Sequence, residues 1–551
     1  MARRKLPAER VDDALHARDG PRPGPMFVVE DGVRLSQSRL WRLQHAFFSA
    51  SDPRAWSKSG VPSYVTTNAF IARAMARVVN AFLEDVAAGR LGPVDASRPI
   101  SIVELGSGSG RFAFGFLREL EARRGGAARA GVKVRFVITD LTRAPIEALR
   151  ANPRFAPFVK RGLLDFAVLD AEEPGEVRLI ESGDVLRPDA RDANPLVVVA
   201  NYFFDGVPTD LYEVAGGALH ESHLRLTLPE GLESGDPKNL GRFVTTFEPG
   251  PIASAPYGDA ELDSLLRSLA SRMADGHFLF PIAGLRLVGH LRALCGGRLF
   301  LLAADRGHVH EEALLGLEPP HLERHGSFSL DVNFHAFAEH ARSTGGHAML
   351  PAHHPSHLAT AGFLWGCDEA LRSRTQEAFE AELDAGGPED FFVLKRTLER
   401  QKDRLDIERA LAWLRSSAWD GEVFHICVPT ILAGVAAAPP SVRLDIFDAA
   451  RRVRDAYFPI GEERDVPFAL GEVFDALDAL PEAEACFAES MALRGPSADT
   501  LHRLAVCASA LHRLPEAIVR AEEALAIDPA YEPARALRVT LAAEIKRRPP
   551  Q

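Results

Sequence analysis

One stretch limits the fold of this chain more than any other, the run SIVELGSGSGRFAFGFLREL between Ser101 and Leu120. It opens with apolar residues, passes through Gly106, Gly108 and Gly110, and ends with apolar residues at helical spacing. The pattern predicts a buried strand, a turn bare of side chains and a helix, which is the repeating unit of a parallel α/β sheet. Because glycine has no Cβ, such a turn either admits a ligand close to the backbone or is simply tight.

Further apolar runs follow at intervals typical of such a sheet. They are apolar throughout rather than alternating, as expected of strands buried on both faces. The runs are VRFVITD, LDFAVLD, PLVVVANYF and RLFLLAADRG, and a helix and a final strand are predicted within HGSFSLDVNFHAFAEHARSTGGHAML. Two amphipathic helices are predicted ahead of them, from Ser38 to Ala50 and from Thr66 to Val86. We therefore predict an α/β domain of the doubly wound, Rossmann-like type.

Composition and charge narrow the class of protein. The 551 residues carry a formal net charge of −12, which argues against broad binding to nucleic acid or to an anionic membrane. No apolar run reaches the roughly 18 residues of a membrane span. The polar segment 1–35 is expected to be flexible and to carry no targeting signal. Five scattered cysteines without a C-x-x-C pair suit a reducing, cytoplasmic setting.

Histidines cluster at two places, as HVH (His308 and His310) and as HHPSH (His353, His354 and His357). Neither cluster lies on a predicted helix at the i, i+4 spacing that aims two imidazoles at one metal ion. We expect these to be solvated loop histidines and predict no metal site.

The glycine spacing G-x-G-x-G helps to decide which kind of ligand the loop binds. The dinucleotide fingerprint G-x-G-x-x-G has its third glycine one residue later and an acidic residue roughly 20 positions on. The corresponding segment here reads GGAARAGV and has no acid, and no G-K-[ST] sequence follows the glycines. A nicotinamide-dependent oxidoreductase is therefore the weaker alternative, and a phosphate-binding loop of the Walker type is excluded.

Polar side chains follow the ends of four successive predicted strands: Glu104, then Asp140, then Asp170, then Asn201 and Asp205. Open α/β sheets bind ligands at this edge. S-adenosylmethionine (SAM) suits the set, with Glu104 at its cationic methionine end, Asp140 at the ribose hydroxyls and Asp170 at the adenine edge. Asn201 and Asp205 would border the methyl acceptor. Taken singly, Asp140 or Asp170 could instead cap a helix.

The intact sequence ELGSGSG resembles the E-x-G-x-G-x-G motif of class I SAM-dependent methyltransferases. The resemblance implies a Rossmann-like fold, SAM as cofactor, and Gly106, Gly108 and Gly110 around the donor. A narrower likeness, over roughly residues 36–370, is to the MidA-like methyltransferases, which include a mitochondrial respiratory complex I assembly factor. NYFFDGVP is similar to their N-E-x-x-D-A-L-P segment, and PSYVTTNAF, FSLDVNFHAF and HLATAGFLWG are looser counterparts of three others.

One departure from that family concerns the acceptor. Tyr202 stands where the family has a glutamate, and acidic side chains are what hold an arginine guanidinium and enhance its nucleophilicity. The family's protein-arginine activity is therefore not assumed for this chain. Asp205, with Asn201 beside it, is the candidate catalytic group and general base. The aromatic residues Tyr202, Phe203 and Phe204 either line a wall beside the acceptor or belong to the core.

The C-terminal part is predicted to be helical, with a repeat of 34 residues. Under that shift Leu470-Gly471 falls on Leu504-Ala505, Ala483 on Ala517, Phe487 on Ala521 and Ser490 on Ala524. The pattern resembles tetratricopeptide (TPR) repeats, in which small residues let two helices approach closely, and the alternative is a set of unrelated amphipathic helices. Such repeats usually bind proteins or peptides.

The predicted organisation has four parts: a flexible segment 1–35, a methyltransferase domain 36–375, a helical linker with a degenerate repeat 376–460, and TPR-like repeats 461–548. The predicted function is SAM-dependent methyl transfer to a protein or peptide recruited with the help of the repeats. The alternative is a non-catalytic scaffold that keeps the methyltransferase fold and binds partners through the repeats.

Overall fold

The computed structural model describes residues 25–50, 64–123, 131–188, 194–324, 327–367 and 373–547. Its strands, in chain order, are β1 Met26–Arg34, β2 Ile100–Leu105, β3 Val134–Asp140, β4 Leu164–Val168, β5 Val177–Arg178, β6 Val185–Leu186, β7 Leu196–Asn201, β8 Asp210–Ala215, β9 Ala218–Pro229, β10 Val244–Gly250, β11 Gly276–Phe280, β12 Leu299–Asp305, β13 Gly307–His308, β14 Glu323–Arg324, β15 Phe328–Ser329, β16 Val332–Asn333, β17 Gly346–Met349 and β18 Ala359–Trp365.

The helices, in the same order, are α1 Arg39–Ala50, α2 Tyr64–Thr67, α3 Ala69–Ala87, α4 Arg111–Ala122, α5 Arg143–Arg150, α6 Ala156–Lys160, α7 Ala260–Arg272, α8 Ile282–Ala293, α9 Phe334–Ser343, α10 Arg374–Phe379, α11 Pro388–Arg400, α12 Ile407–Ser416, α13 Gly421–Gly434, α14 Pro440–Ala456, α15 Val466–Ala476, α16 Leu480–Arg494, α17 Ala498–Ala510, α18 Leu514–Ile527 and α19 Glu532–Arg547. No described helix is both long and apolar enough to cross a bilayer.

The larger sheet has seven strands in the order β17-β18-β12-β7-β2-β3-β4. Strands β2, β3, β4, β7 and β12 are parallel, and β18 lies antiparallel between β12 and β17. The five parallel strands follow the order 3-2-1-4-5 of a doubly wound sheet, with the reversal of order between β2 and β7. The predicted α/β architecture is confirmed. The sequence analysis expected one strand after α9, whereas the structure has two.

The apolar runs became central strands because both faces of this sheet are covered. All six residues of β2 are buried, and the side chains of alternate residues enter two separate cores. One core lies against α3 and α4, and the other lies against α7, α8 and α9. Helix α3 begins at Asn68, whose side chain accepts a hydrogen bond from the Ile71 amide at 3.0 Å.

A second, antiparallel sheet is formed by β1, β9, β8 and β11, with β10 paired to β9, and most of it lies in the chain between β7 and β12. The sequence analysis did not predict it. It also corrects the first predicted boundary, because Met26–Arg34, within the segment expected to be flexible, pairs with β9 as strand β1. Leucines of β9 and Trp41 of α1 share its core, which explains why β1 is held in place.

The C-terminal helical region, which comprises α10 to α19, packs directly onto the α/β domain. The Phe458 ring lies 5.2 Å from that of Phe114 and 5.4 Å from that of Phe155. Nε of Arg111, the first residue of α4, donates to the Phe458 carbonyl at 2.8 Å. Because Phe458 belongs to the core formed by the sheet with α3 and α4, the helical region and the α/β domain share an apolar interface.

The last five helices form a series of packed pairs. Helices α16 and α18 begin at Leu480 and Leu514, and α17 and α19 begin at Ala498 and Glu532, so each interval is 34 residues. A Cβ on Gly471 would meet the Phe487 ring at 2.5 Å, so the small residue is required by the close approach of α15 and α16. The alanines that the 34-residue shift pairs, Ala483, Ala505, Ala517, Ala521 and Ala524, are also buried, as close packing of helices requires.

Candidate functional site

A cleft of about 1600 Å³ opens at the carboxyl ends of the parallel strands, next to the point where strand order reverses. It is bounded by α1 and α2, by β10 of the second sheet and by α11 of the helical region. The predicted site residues on its wall are Glu104, Gly106, Gly108, Asp140, Asp170, Asn201 and Asp205. Residues from four different strand ends therefore face one cavity, as expected of an open α/β sheet.

The glycine loop needs its glycines for two reasons. Gly106, Gly108 and Gly110 have φ angles of 63°, 50° and 77°, a left-handed region that side chains disfavour. A Cβ on Gly106 would lie 3.0 Å from the Phe203 ring. Gly110 was predicted to contact the donor, but it does not line the cleft. A Cβ on Gly110 would lie 2.6 Å from the Leu149 side chain behind the cleft wall. Gly110 is required for packing at the start of α4.

Glu104 lies beneath this loop and is only 3% exposed. Its carboxylate accepts a hydrogen bond from the Ser107 hydroxyl at 2.6 Å. Burial raises the pKa of Glu104 to about 8, the Ser107 hydroxyl opposes that shift, and the nearby Asp140 charge adds to it. The chain thus holds a desolvated acid beside the loop, which favours a cationic ligand group and disfavours a phosphate.

Asp140 ends β3 with both carboxylate oxygens engaged by backbone. The Gly108 amide donates to one at 3.2 Å, and the Leu141 amide donates to the other at 2.8 Å. Burial raises the pKa of this carboxyl to about 6, and the two amides oppose the shift. Each oxygen keeps a further acceptor position, so the group is fixed in place and able to accept two hydroxyls. It does not cap a helix.

At the end of β4, the Asp170 carboxylate accepts the Glu172 amide at 2.9 Å. The Glu172 side chain in turn lies 2.9 Å from Nε2 of His45 on α1. This hydrogen bond to Glu172 raises the pKa of His45 above its ordinary value, although partial burial opposes it. The third strand end therefore meets α1 through a histidine that the sequence analysis did not single out.

The strand ends of β7 and β12 bring two carboxyl groups together. Asp305 is buried and accepts hydrogen bonds from the amides of Phe203, Asp205 and Arg306 at 3.0, 3.1 and 3.0 Å. Burial raises the pKa values of both Asp205 and Asp305, and the Asp205 charge adds to the shift at Asp305. Asp305 was missed, although it ends a run already predicted to be a strand.

Tyr202, the residue that departs from the family pattern, follows β7 with a φ of 52°. A positive φ is strained for a bulky side chain, and such strain collects at functional sites. Tyr202 and Phe203 line the cleft, whereas Phe204 is buried in the core. Each of the two alternatives stated for these aromatic residues therefore holds for part of the set.

The wall farthest along the sheet comes from the HHPSH segment and from α11, through Ser356, His357, Phe392 and Arg396. His353 and His354 are exposed loop residues, as expected, whereas His357 is half-buried on the cleft wall. His353 lies 3.1 Å from Glu389 and 3.2 Å from Asp384, both of the helical region. These partners are more than thirty positions away in the sequence, so no local sequence pattern indicated the contacts.

Within the ranges given above, no three or more His, Cys, Asp or Glu side chains are grouped so as to hold a metal ion. Cys295, Cys427, Cys486 and Cys507 are buried thiols that form no disulfide.

Comparison with known proteins gives distant structural likenesses only. No family profile matches the chain, and no curated protein sequence matches it. A methyl transferase candidate from Burkholderia thailandensis, bound to S-adenosyl-homocysteine, has a TM-score of 0.34 and 16% identity over 63% of this chain and 97% of its own. An uncharacterised protein of the same superfamily and organism has a TM-score of 0.32 and 15% identity over 62% and 96%. At these values neither structure assigns a function to this chain.

Proposed function

We propose that this chain is a SAM-dependent methyltransferase of the class I, MidA-like type. The observation that carries the proposal is the buried Glu104 carboxyl beneath a glycine loop that lies next to Asp140. A dinucleotide would bring its pyrophosphate to that loop, beside a buried carboxyl that offers the phosphates no positive charge. SAM brings an ammonium and a sulfonium instead. The residues fit this donor, and SAM bound here would supply a methyl group already activated on sulfur.

The chain itself binds the donor and the acceptor, orients them towards each other and excludes water from the cleft. Asp140 holds the ribose hydroxyls, Glu104 and the loop hold the methionine end, and Asp170 lies at the adenine edge. Asn201 and Asp205 border the acceptor. Since burial raises the pKa of Asp205 to about 7, with Arg306 opposing the shift and Asp331 adding to it, this carboxyl can take a proton from an acceptor near neutral pH and pass it to solvent.

We further propose that the acceptor is a protein or peptide and that the setting is cytoplasmic. Support comes from the paired helices at the 34-residue interval, which resemble TPR repeats, and from the four buried thiols. The arginine activity of the MidA-like family is not part of the proposal, because Tyr202 replaces the family's acid.

Calorimetric titration of the full chain tests the donor site. We expect SAM and S-adenosyl-homocysteine to bind the wild type and NAD not to bind. Asp140→Ala and Gly108→Arg should each weaken binding at least tenfold, whereas Asp403→Ala, an exposed carboxylate outside the cleft, should leave it unchanged. Binding of NAD alone would revive the oxidoreductase alternative. SAM binding with no methyl transfer to any peptide would favour the scaffold alternative.

A further inference from the structure

The acceptor half of the cleft contains a cation whose role the proposed function leaves open, and the inference below rests on that function. Ser356 and His357 precede β18, whose first residue, Ala359, pairs with Asp305 of β12. Strand β18 is three strands from β2 in the sheet, and neighbouring strands are about 4.8 Å apart. The start of β18 is therefore about 14 Å from the end of β2 across the sheet, and the wall lies beyond Asn201 on the acceptor side.

Arg396 projects from α11 onto this wall and is held there by two neighbours. Its guanidinium lies 4.7 Å from the centre of the Phe392 ring, and its Nη1 is 3.2 Å from Nε2 of His357. Both neighbours also line the cleft. The ring and the imidazole restrict the guanidinium without neutralising it, which prepares it for a ligand.

The contact with Arg396 assigns the hydrogen-bond roles of the His357 ring. Arginine can only donate, so Nε2 of His357 accepts and its proton is on Nδ1. That proton points to the Ser356 hydroxyl at 2.9 Å, and the hydroxyl donates to Glu389 at 3.1 Å. Glu389 is thus occupied by this relay, by the Ser356 and His357 amides and by His353.

Arg396 consequently keeps an unbalanced charge. Among the described residues, it has no carboxylate within ion-pair distance, whereas Arg306, the other arginine on the cleft wall, lies 3.1 Å from Asp331. Arg396 is exposed at the edge of the cleft, and a guanidinium with donors open to the cleft matches a carboxylate in two-point geometry. A phosphate dianion, with about twice the charge of a carboxylate, would be repelled more strongly by the acids of the same cleft.

We propose that Arg396 anchors a carboxylate of the methyl acceptor, so that the helical region supplies a specificity-determining residue to the active site. The acceptor is then a molecule with a carboxylate that reaches the wall of the cleft opposite the donor loop. Three sources share this chemistry: an acidic side chain of a peptide, a peptide C-terminus and a small organic acid.

The test measures binding to the full chain saturated with S-adenosyl-homocysteine, so that it does not depend on turnover. The probes are matched pairs: hexapeptide pools with fixed Glu or fixed Gln, the same pools with a free or an amidated C-terminus, and succinate or succinamide. At least one acid should bind about tenfold or more tightly than its amide, the size expected of a hydrogen bond to a charged group. The pair that shows this preference identifies the source.

Variants assign the preference to the residue. Arg396→Gln should abolish it and Arg396→Lys should retain part of it. Arg400→Gln, an exposed arginine one turn along α11 and away from the cleft, should keep it, with folding of each variant checked by circular dichroism. No preference in the wild type, or one that survives in Arg396→Gln, would overturn the anchor. Titration with SAM distinguishes the two failures, because loss of donor binding by the wild type would reject the proposed function itself.

Discussion

Glu104 governs the donor end of the cleft at the scale of single residues. Burial raises its pKa to about 8, so near neutral pH this carboxyl is mostly protonated in the free protein. Because the unfolded chain would ionise it near its ordinary value of 4.5, the free energy of unfolding loses this group's contribution as pH rises from about 4.5 to about 8. A cation bound beside it favours the carboxylate and draws the proton off.

We therefore expect SAM affinity to increase as pH rises towards about 8 and to level off above it, with a proton released on binding at lower pH. Titrations in two buffers of different ionisation enthalpy measure the release. In Glu104→Gln the dependence should weaken and affinity should fall. An affinity that does not change with pH in the wild type would contradict the role given to Glu104.

Gly110 gives a prediction on stability alone. In Gly110→Ala, a Cβ would meet Leu149 at 2.6 Å and Phe155 at 3.2 Å, in addition to the strain of a φ of 77°. We expect a loss of about 2–4 kcal/mol in the free energy of unfolding. Gly162→Ala, at a φ of 66° with open space around it, should show only the backbone strain of about 1 kcal/mol. Urea unfolding compares the two, and equal losses would show that the close packing is unimportant.

At the scale of elements, Asp420 joins two helices of different regions. One oxygen caps α13 by accepting the Glu422 and Val423 amides at 3.0 and 3.2 Å. The same carboxylate accepts the Tyr64 hydroxyl at 3.1 Å and the Ala69 amide, at the start of α3, at 3.2 Å. The residues before it, Ala418 and Trp419, have φ angles of 59° and 65°, so a strained turn presents this acid to both helices.

Asp420→Ala should therefore cost more than the loss of an ordinary cap. We expect about 2–4 kcal/mol, because partly buried donors of α2 and α3 lose their acceptor as well. Asp406→Ala provides the comparison, since Asp406 caps only α12 through the Arg409 amide at 2.8 Å, and about 1 kcal/mol is expected. Thermal unfolding measures both. A cost for Asp420→Ala no larger than that for Asp406→Ala would show that the contact between regions contributes little.

The elements differ in how far the sequence predicted them. The parallel strands were predictable because burial on both faces makes them apolar throughout, and their carboxyl ends located the acids of the cleft. The antiparallel sheet was missed even though β8 and β9 meet at Gly216-Gly217, a frequent hairpin turn, and β9 alternates apolar and polar residues. The wall formed by His357 and Arg396 gave no signal, since its contacts span more than thirty positions.

At the scale of the whole molecule, Phe458 couples the helical region to the donor site. Its ring fills the core beside Phe114 and Phe155, and its carbonyl holds Arg111, the first residue after the glycine loop. A buried aromatic at such a junction contributes to both regions. The helical region is therefore part of the cleft's support as well as one of its walls.

Phe458→Ala should lower the free energy of unfolding by about 3–5 kcal/mol and weaken SAM binding severalfold. Phe474→Ala also empties a fully buried position, but within the helical core, and should destabilise the chain without changing SAM affinity at 25 °C. Calorimetry with SAM distinguishes the two. Equal SAM affinities would mean that the helical region does not support the glycine loop.

The central claim, that this cleft binds the methyl donor through its strand-end acids, is tested most directly by a crystal structure of the full chain with S-adenosyl-homocysteine. We predict both ribose hydroxyls within hydrogen-bond distance of the Asp140 carboxylate, the amino-acid end beside Glu104 and Gly106, and the adenine next to Asp170. A nucleoside bound elsewhere, or a cleft without ligand at saturating concentration, would contradict the account.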